Sequence, residues 1–169
     1  MKPATVFATI LMLAFTPAQA LEITGGTDAD VTAVLAIKDE WQRAYEAGDL
    51  DALLDLYTDD AFIQMRGIPA VDAAKDRDGF NAFFARLIDR PGLNVMFDED
   101  ELFFYEDNTI AHSIAKFVAS MPGPDGSTIY DAARGLLMYR KGDDGKWRIW
   151  RDLDTPSPDA EALIPSQTN

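Results

Sequence analysis

Hydrophobic residues recur with a helical period near the start of the chain. Between residues 31 and 47, apolar side chains lie three or four positions apart, which places them on one face of a helix. Asp28 or Asp30 can cap the beginning of this helix. Gly48 follows where a helix end favours a left-handed residue, and Asp49 can cap the next helix. The pattern therefore predicts a helix, a corner and a second helix.

Two further helical stretches follow the same logic. The second, short helix is predicted to run from Leu50 through Tyr57. The segment "GFNAFFARLIDR" carries apolar residues at i, i+3, i+4, i+7 and i+8, which is the pattern of an amphipathic helix. Pro91 and Gly92 end it. Three helices are thus expected before residue 93.

The pattern changes from helical to extended in the second half of the chain. A short strand, Ala61–Met65, already precedes the third helix. The later segments that read as strands are "LNVMFDEDELFFYED", "NTIAHSIAKFVAS", "TIYDAARGLLMYR" and "WRIWRDLD". Helices followed by antiparallel strands indicate an α+β fold. We expect about three N-terminal helices on one face of a curved antiparallel sheet of four to five strands, with a pocket between them.

The N-terminus has the features of a secretory signal peptide. Lys2 precedes an apolar run from Ala4 to Phe15, and Ala18-Gln19-Ala20 gives a small-x-small cleavage pattern. The run is too short to span a bilayer. We expect cleavage after Ala20, a periplasmic or secreted protein, and no stable membrane insertion after cleavage. A buried N-terminal helix is the alternative.

Composition divides the rest of the chain. Residues 21–29 are predicted to be a linker, residues 30–156 one domain, and the Pro- and Ser-rich residues 157–169 a disordered tail. The chain has no Cys, so no disulfide supports the fold. Its formal net charge of −14 disfavours nucleic acid as a partner, because the acidic protein and the phosphate backbone would repel each other.

The order of these pieces resembles a known superfamily. The matching pieces are "WQRAYEAGDLDALLDLYTDDAFIQM", the helix with Phe80 and Phe84, and the closing "DGKWRIWRDLDTP". Together they resemble nuclear transport factor 2-like domains, and within them the SnoaL-like and ketosteroid-isomerase-like branch. The resemblance implies a cone-shaped α+β fold with a deep, mostly apolar pocket, and a homodimer.

The residues that carry isomerase chemistry in that branch are absent from the matching positions. Met65 stands at the position of the general-base aspartate, and Trp41 at that of the oxyanion-hole tyrosine. Gly135 or Leu136 stands at the position of the second acid. A thioether cannot abstract a proton. The resemblance thus implies the pocket without the isomerase catalytic residues. The residues expected to line it are Trp41, Tyr45, Tyr57, Ile63, Met65 and Trp150.

Three other residues are candidates for acid–base chemistry: His112, Asp131 and Asp152. His112 is the only histidine, and it is either a general acid–base or a structural residue. Asp131 shares the largely apolar face of its strand and lies either at the pocket mouth or in solvent. One His and no Cys do not supply the usual ligands of a zinc site, and no metal or cofactor is expected.

The orientation of Asp152 depends on the last strand. On a regular strand Trp150, Asp152 and Asp154 share one face, and Trp147 lies on the other. Both faces carry a tryptophan, so periodicity does not decide which is internal. If Trp150 is internal, Asp152 joins the pocket. If it is not, Trp150 suits a dimer surface.

Three functions remain open from the sequence. The first is an exported domain that binds a small, largely apolar organic molecule. The second is a SnoaL-like lyase, isomerase or hydrolase that uses Asp131, Asp152 or His112 as acid or base. The third is a non-catalytic dimeric adaptor. The fold alone does not choose among them, because one fold hosts many activities.

Overall fold

The structure is a computed structural model that describes residues 20–105 and 107–165. Apart from Ala20, the predicted signal peptide lies outside the described residues. No helix in the described part combines the length and the apolar character that crossing a membrane requires. The described chain forms these elements: β1 Glu22–Thr24, α1 Asp28–Ala47, α2 Leu50–Asp55, β2 Tyr57–Gln64, β3 Val71–Asp72, α3 Arg77–Ile88, β4 Asn94–Phe104, β5 Ile110–Pro122, β6 Thr128–Lys141, β7 Trp147–Pro156 and α4 Pro158–Glu161.

One curved, unclosed sheet contains all seven strands of the described residues, in the order β1-β4-β5-β6-β7-β2-β3. The long strands β4 to β7 are antiparallel neighbours, whereas β1 pairs with β4 and β2 with β7 in parallel. The predicted α+β cone with N-terminal helices is confirmed. The sheet has more strands than expected because β1 and β3 are only three and two residues long, too short for a periodic signal.

The helical corner forms as the sequence indicates, with one change of cap. Thr27, rather than Asp28 or Asp30, caps α1, and its hydroxyl accepts from the backbone N–H of Asp30 at 3.2 Å. Gly48 ends the helix in the left-handed region at φ 66°. Asp49 caps α2 through the N–H of Ala52 at 3.0 Å, as predicted.

The sequence predicts Tyr57 at the end of the second helix, but Tyr57 is the first residue of β2. Helix α2 ends at Asp55, and the chain is already extended at Tyr57, which is buried. Its ring packs against Phe80 and Phe84 of α3, with ring centroids 5.7 and 4.8 Å away. Burial of this ring between helix and sheet outweighs its apolar spacing to Leu53 and Leu54.

Both ends of the described chain are ordered parts of the fold. Strand β1 lies within the segment predicted to be a linker. Helix α4 lies within the segment predicted to be a disordered tail, and Ala160 packs on Val118 and Ala132 of the sheet. Asp159 also forms an ion pair with Arg134 at 2.5 Å. These contacts explain the order of a segment whose composition alone suggests none.

Candidate functional site

A bulge in β7 decides which side chains of this strand face the helices. Ile149 pairs with Tyr139, but the next pair is Arg151 with Met138, so Trp150 has no residue opposite it. A bulge reverses the alternation of side chains. Asp152 therefore faces the same side as the buried Ile149.

The side chain of Trp150, the bulged residue, lies on the opposite face of the sheet from Asp152. Its Nε1 donates to Asp60 Oδ2 at 3.2 Å, and its ring contacts the guanidinium groups of Arg140 and Arg151 at 5.0 and 4.1 Å. The sequence alternatives linked Asp152 to Trp150 on one face. The structure separates them: Asp152 faces the interior, and Trp150 stacks with arginines.

Asp152 occupies an apolar position inside the cone. It is partly buried, and its neighbours on the adjacent strands are Ile63 and Leu137, both buried. Its carboxyl group forms no hydrogen bond with any described residue. Burial, reinforced by the Asp154 carboxylate, raises the pKa of Asp152 from 3.8 to about 7, and the ammonium of Lys38 opposes this rise.

Lys38 and Glu99 form an ion pair in the same interior. The Lys38 ammonium contacts Glu99 Oε1, and the side chains are 10% and 17% exposed. Burial lowers the pKa of Lys38, although Glu99 and Asp152 both act to raise it. The Lys38 ammonium also lies 4.6 Å from the centroid of the Phe97 ring.

A second bulge brings Glu99 inward. In β4, Glu99 pairs with Ala115 and Glu101 with Ile114, so Asp100 has no residue opposite it. Glu99 consequently shares the side of the buried Ala115. Its second oxygen, Oε2, is buried and has no hydrogen-bond partner among the described residues.

Two tyrosines complete a group of polar side chains inside the cone. Tyr57 accepts a hydrogen bond from Trp41 Nε1 at 3.1 Å, and Tyr139 bonds with Ser113 Oγ at 3.1 Å. Burial raises the pKa of both tyrosines, and the charge of Asp152 raises it further. We call Lys38, Glu99, Asp152, Tyr57 and Tyr139 the interior polar cluster.

This cluster has the parts of an acid–base site. A carboxyl group with a pKa near 7 can both accept and donate a proton at neutral pH. Tyr57 stays protonated because its pKa is raised, and Trp41 occupies an acceptor position on its oxygen. Its hydroxyl hydrogen has no acceptor among the described residues, so Tyr57 can donate to a bound oxygen atom.

Asp131 lies at the open end of the cone. Its side chain is 56% exposed and forms an ion pair with Arg66. The backbone N–H of Arg66 donates to Asp154 Oδ1 at 2.8 Å, and that carboxylate is only 6% exposed. Arg66 thus links the exposed Asp131 to the acid that neighbours Asp152.

His112 lies on the outer side of the sheet, away from the interior polar cluster. Its Nε2 contacts Glu101 Oε1 at 2.7 Å, and its ring stacks on Phe103 with centroids 5.5 Å apart. The adjacent Ser113 points inward and is buried. The structure therefore does not bring His112 and Asp152 together.

The predicted pocket residues occupy different environments. Ile63 is buried beside Asp152, and Met65 is partly buried against the core. Tyr45 stacks on Trp41 at 5.7 Å. The Tyr45 hydroxyl accepts from the N–H of Leu93 at 3.1 Å and donates to a backbone carbonyl, so it fastens α1 to a loop.

Sequence reasoning missed Lys38 and Glu99. Lys38 lies four residues after Val34 and three before Trp41, within the apolar stripe of α1. A lysine inside such a stripe is a usable signal of a buried charge. Glu99 had no such signal, because the bulge that turns it inward is not visible in "DEDE".

Two open clefts lie on the described surface, and neither is lined by Asp152, Lys38 or Glu99. One, of about 640 Å³, is lined by Tyr57 and by arginines that include Arg140 and Arg148. Those two arginines are already paired, with Asp60 and with Asp55. The other, of about 440 Å³, lies beside Gly48. The interior polar cluster gives the more specific chemistry, because its charges are desolvated.

No group of three His, Asp or Glu residues suited to a metal lies within residues 20–105 and 107–165.

The curved sheet over three helices, with acids turned inward, defines an α+β cone. The model of the SnoaL-like domain matches residues 39–150, so the chain belongs to the SnoaL-like family, within the nuclear transport factor 2-like superfamily. No curated protein matches the chain significantly.

Solved structures share the fold at low sequence identity. A ketosteroid isomerase-like protein from Erwinia carotovora atroseptica has a TM-score of 0.60 and 17% identity, covering 76% of this chain and 96% of that one. A proposed dehydratase of the nuclear transport factor 2-like family from Streptomyces avermitilis has a TM-score of 0.61 and 16% identity, covering 79% of this chain and 99% of that one. A conserved protein from Planctomyces limnophilus has a TM-score of 0.64 and 20% identity, covering 78% of this chain and all of that one. These identities establish the fold alone.

Proposed function

We propose that the protein catalyses proton transfer on a small, largely apolar organic molecule bound inside the cone. Asp152 is the general base, and Tyr57 is the hydrogen-bond donor. The observation that carries the proposal is the Asp152 carboxyl group. It lies among apolar neighbours, forms no hydrogen bond with any described residue, and has a pKa of about 7. Such an acid is typical of a functional site.

The reaction follows from the chemistry of these groups. Asp152 takes a proton from a carbon next to a carbonyl group, and the electron pair of the broken C–H bond forms an enolate. Tyr57 donates to the oxygen on which the negative charge develops. Return of the proton to another carbon gives an isomerase, and departure of a β substituent gives a lyase.

The site differs from that of a ketosteroid isomerase in the position of its base. Met65 stands where the isomerase aspartate would lie and packs against the core. The acid in this protein comes from β7, where the bulge at Trp150 turns Asp152 inward. Trp41 does not replace the missing tyrosine directly, but its N–H holds Tyr57 at 3.1 Å.

Deuterium exchange into 2-tetralone, an apolar bicyclic ketone, tests the proposal. In D2O the protein should accelerate loss of the α-proton NMR signals, with a midpoint near pH 7. Asp152→Asn should lower the exchange rate by about 100-fold or more, since general base catalysis contributes that much. Asp131→Asn, at the exposed end, is the matched control and should retain the rate. No exchange above buffer, or equal rates in wild type and Asp152→Asn, would refute the role of Asp152.

Binding of the ketone without exchange would instead assign a ligand-binding function. Absence of both would favour the non-catalytic adaptor.

We also propose that the protein is exported and forms a homodimer. The signal-like residues 1–20 and the resemblance described above support these two points. Native mass spectrometry of the protein from its natural compartment tests both. A chain that begins at Leu21 and a dimeric mass are expected; retention of Met1 would contradict export.

A further inference from the structure

The Lys38–Glu99 pair occupies the interior without satisfying its own hydrogen-bonding capacity. Glu99 Oε1 bonds with Lys38, whereas Oε2 is buried and has no partner among the described residues. An unsatisfied buried carboxylate oxygen destabilises the folded protein, because the desolvation of the oxygen is not compensated by a hydrogen bond. The Lys38 ammonium has three N–H groups, and within the described residues its hydrogen bond is to Glu99. Both members of the pair therefore retain capacity for a further polar partner.

The charges around the pair restrict that partner. Lys38 and Glu99 neutralise each other, and Asp152 contributes to the field at Lys38. An anionic group would meet Glu99 and Asp152, and like charges at close range disfavour binding. A cationic group would compete with Lys38 for Glu99. A neutral group that both donates and accepts satisfies both residues, and a hydroxyl is the smallest such group.

The surroundings of the pair suit an apolar molecule that carries this hydroxyl. Phe97 lies over the Lys38 ammonium and is 39% exposed, and Phe117 lies beside it with ring centroids 6.2 Å apart. Gly135 faces the Phe117 ring, where an added Cβ would come within 3.7 Å. The aromatic rings thus offer an apolar wall next to the ion pair.

We propose that Lys38 and Glu99 bind a neutral hydroxyl group of the substrate, with Lys38 donating to its oxygen and Glu99 Oε2 accepting its hydrogen. This inference rests on the proposed function, because it places the ligand beside Asp152. It narrows the substrate to uncharged, hydroxyl-bearing, largely apolar molecules. It also gives the two residues a binding role that a purely structural ion pair would not have.

Calorimetric titration of the whole protein with three probes of one shape tests the proposal at neutral pH. The probes are 2-naphthol, 2-methoxynaphthalene and 2-naphthoate. We expect 2-naphthol to bind on the order of tenfold more tightly than the ether, because only the hydroxyl donates to Glu99. The carboxylate should bind most weakly. Equal affinity for 2-naphthol and its ether, or preference for the carboxylate, would overturn the proposal without any variant.

A variant pair locates the effect. In Glu99→Gln the amide oxygen is expected to face Lys38, so that its NH2 group faces the ligand. The preference for 2-naphthol over the ether should then fall to about onefold to twofold. Glu101→Gln, two residues away on the outer side of the same strand, is the matched control and should keep the wild-type preference. A preference that survives in Glu99→Gln would overturn the assignment to Glu99.

The outcomes separate this inference from the proposed function. If neither neutral probe binds and 2-tetralone also shows no exchange, the interior ligand site itself is refuted, and this inference with it. If both neutral probes bind equally and 2-tetralone exchanges, the acid–base function stands and only the hydroxyl recognition fails.

Discussion

Replacing Asp152 by Asn should change how the stability of the protein depends on pH. The folded state raises the pKa of Asp152 from 3.8 to about 7. The folded protein therefore binds this proton more tightly than the unfolded chain does. Stability from this group is fully present below pH 3.8 and is lost as the pH rises through about 7.

The size of the effect follows from the same two values. At about 1.4 kcal/mol per pH unit, the full difference corresponds to about 4 kcal/mol. Between about pH 4.5 and pH 8, the measurable part is about 3 kcal/mol. Asn keeps the shape of the side chain and cannot ionise. The variant should therefore gain stability relative to wild type as the pH rises, and lose the proposed catalytic activity.

Urea unfolding of both proteins at several pH values between about 4.5 and 8 measures this difference. The free energy of unfolding of Asp152→Asn minus that of wild type should increase steadily with pH. Asp143→Asn is the matched control, because Asp143 lies exposed in the turn between β6 and β7, and its difference from wild type should stay constant. A constant difference for Asp152→Asn as well would refute the claim that Asp152 is protonated more readily in the folded state.

Three further substitutions probe the interior and the start of α1. Lys38→Met leaves the charge of Glu99 buried without its partner and should lower the free energy of unfolding by about 3 kcal/mol; an unchanged urea midpoint would contradict a buried pair. Tyr57→Phe removes the acceptor of the Trp41 N–H and should cost about 1 kcal/mol in the same assay, while full retention of ketone exchange would exclude Tyr57 as a donor. Hydrogen bonds from a lysine and a tryptophan hold the pKa of Asp30 below its usual range, so this group contributes stability above pH 3.8 that is lost as the pH falls. Asp30→Asn should therefore lower the free energy of unfolding most near pH 7. A destabilisation that instead grows towards acid pH would contradict a lowered pKa.

The helical half of the fold could be predicted because its signals are local. The apolar stripe of α1, the left-handed Gly48 and the Asp49 cap depend on residues within one or two turns. The sequence pattern places Tyr57 in the wrong element because its apolar spacing continues the helix, whereas its burial against Phe80 depends on a distant segment. The ends β1 and α4 escaped prediction for the same reason: their order depends on contacts with the sheet.

The interior polar cluster could be predicted only in part. The sequence identifies Asp152 as a candidate, but the direction of its side chain depends on a bulge that no period-2 pattern reveals. Glu99 was hidden by the second bulge at Asp100. Lys38 did leave a signal, a charge within an apolar stripe, that the pattern of hydrophobic positions alone passes over.

The single residue inserted at Trp150 has a consequence for divergence among related chains. The extra residue determines where along the sequence an inward acid must stand. With Trp150 present, the inward Asp152 lies three residues after the inward Ile149, whereas in a strand without the extra residue regular alternation would place an inward acid two residues after it. A related chain that lacks the bulge but keeps the three-residue spacing would therefore turn its acid toward the outer surface, so alignments of this family should be compared at β7 by backbone count as well as by residue type.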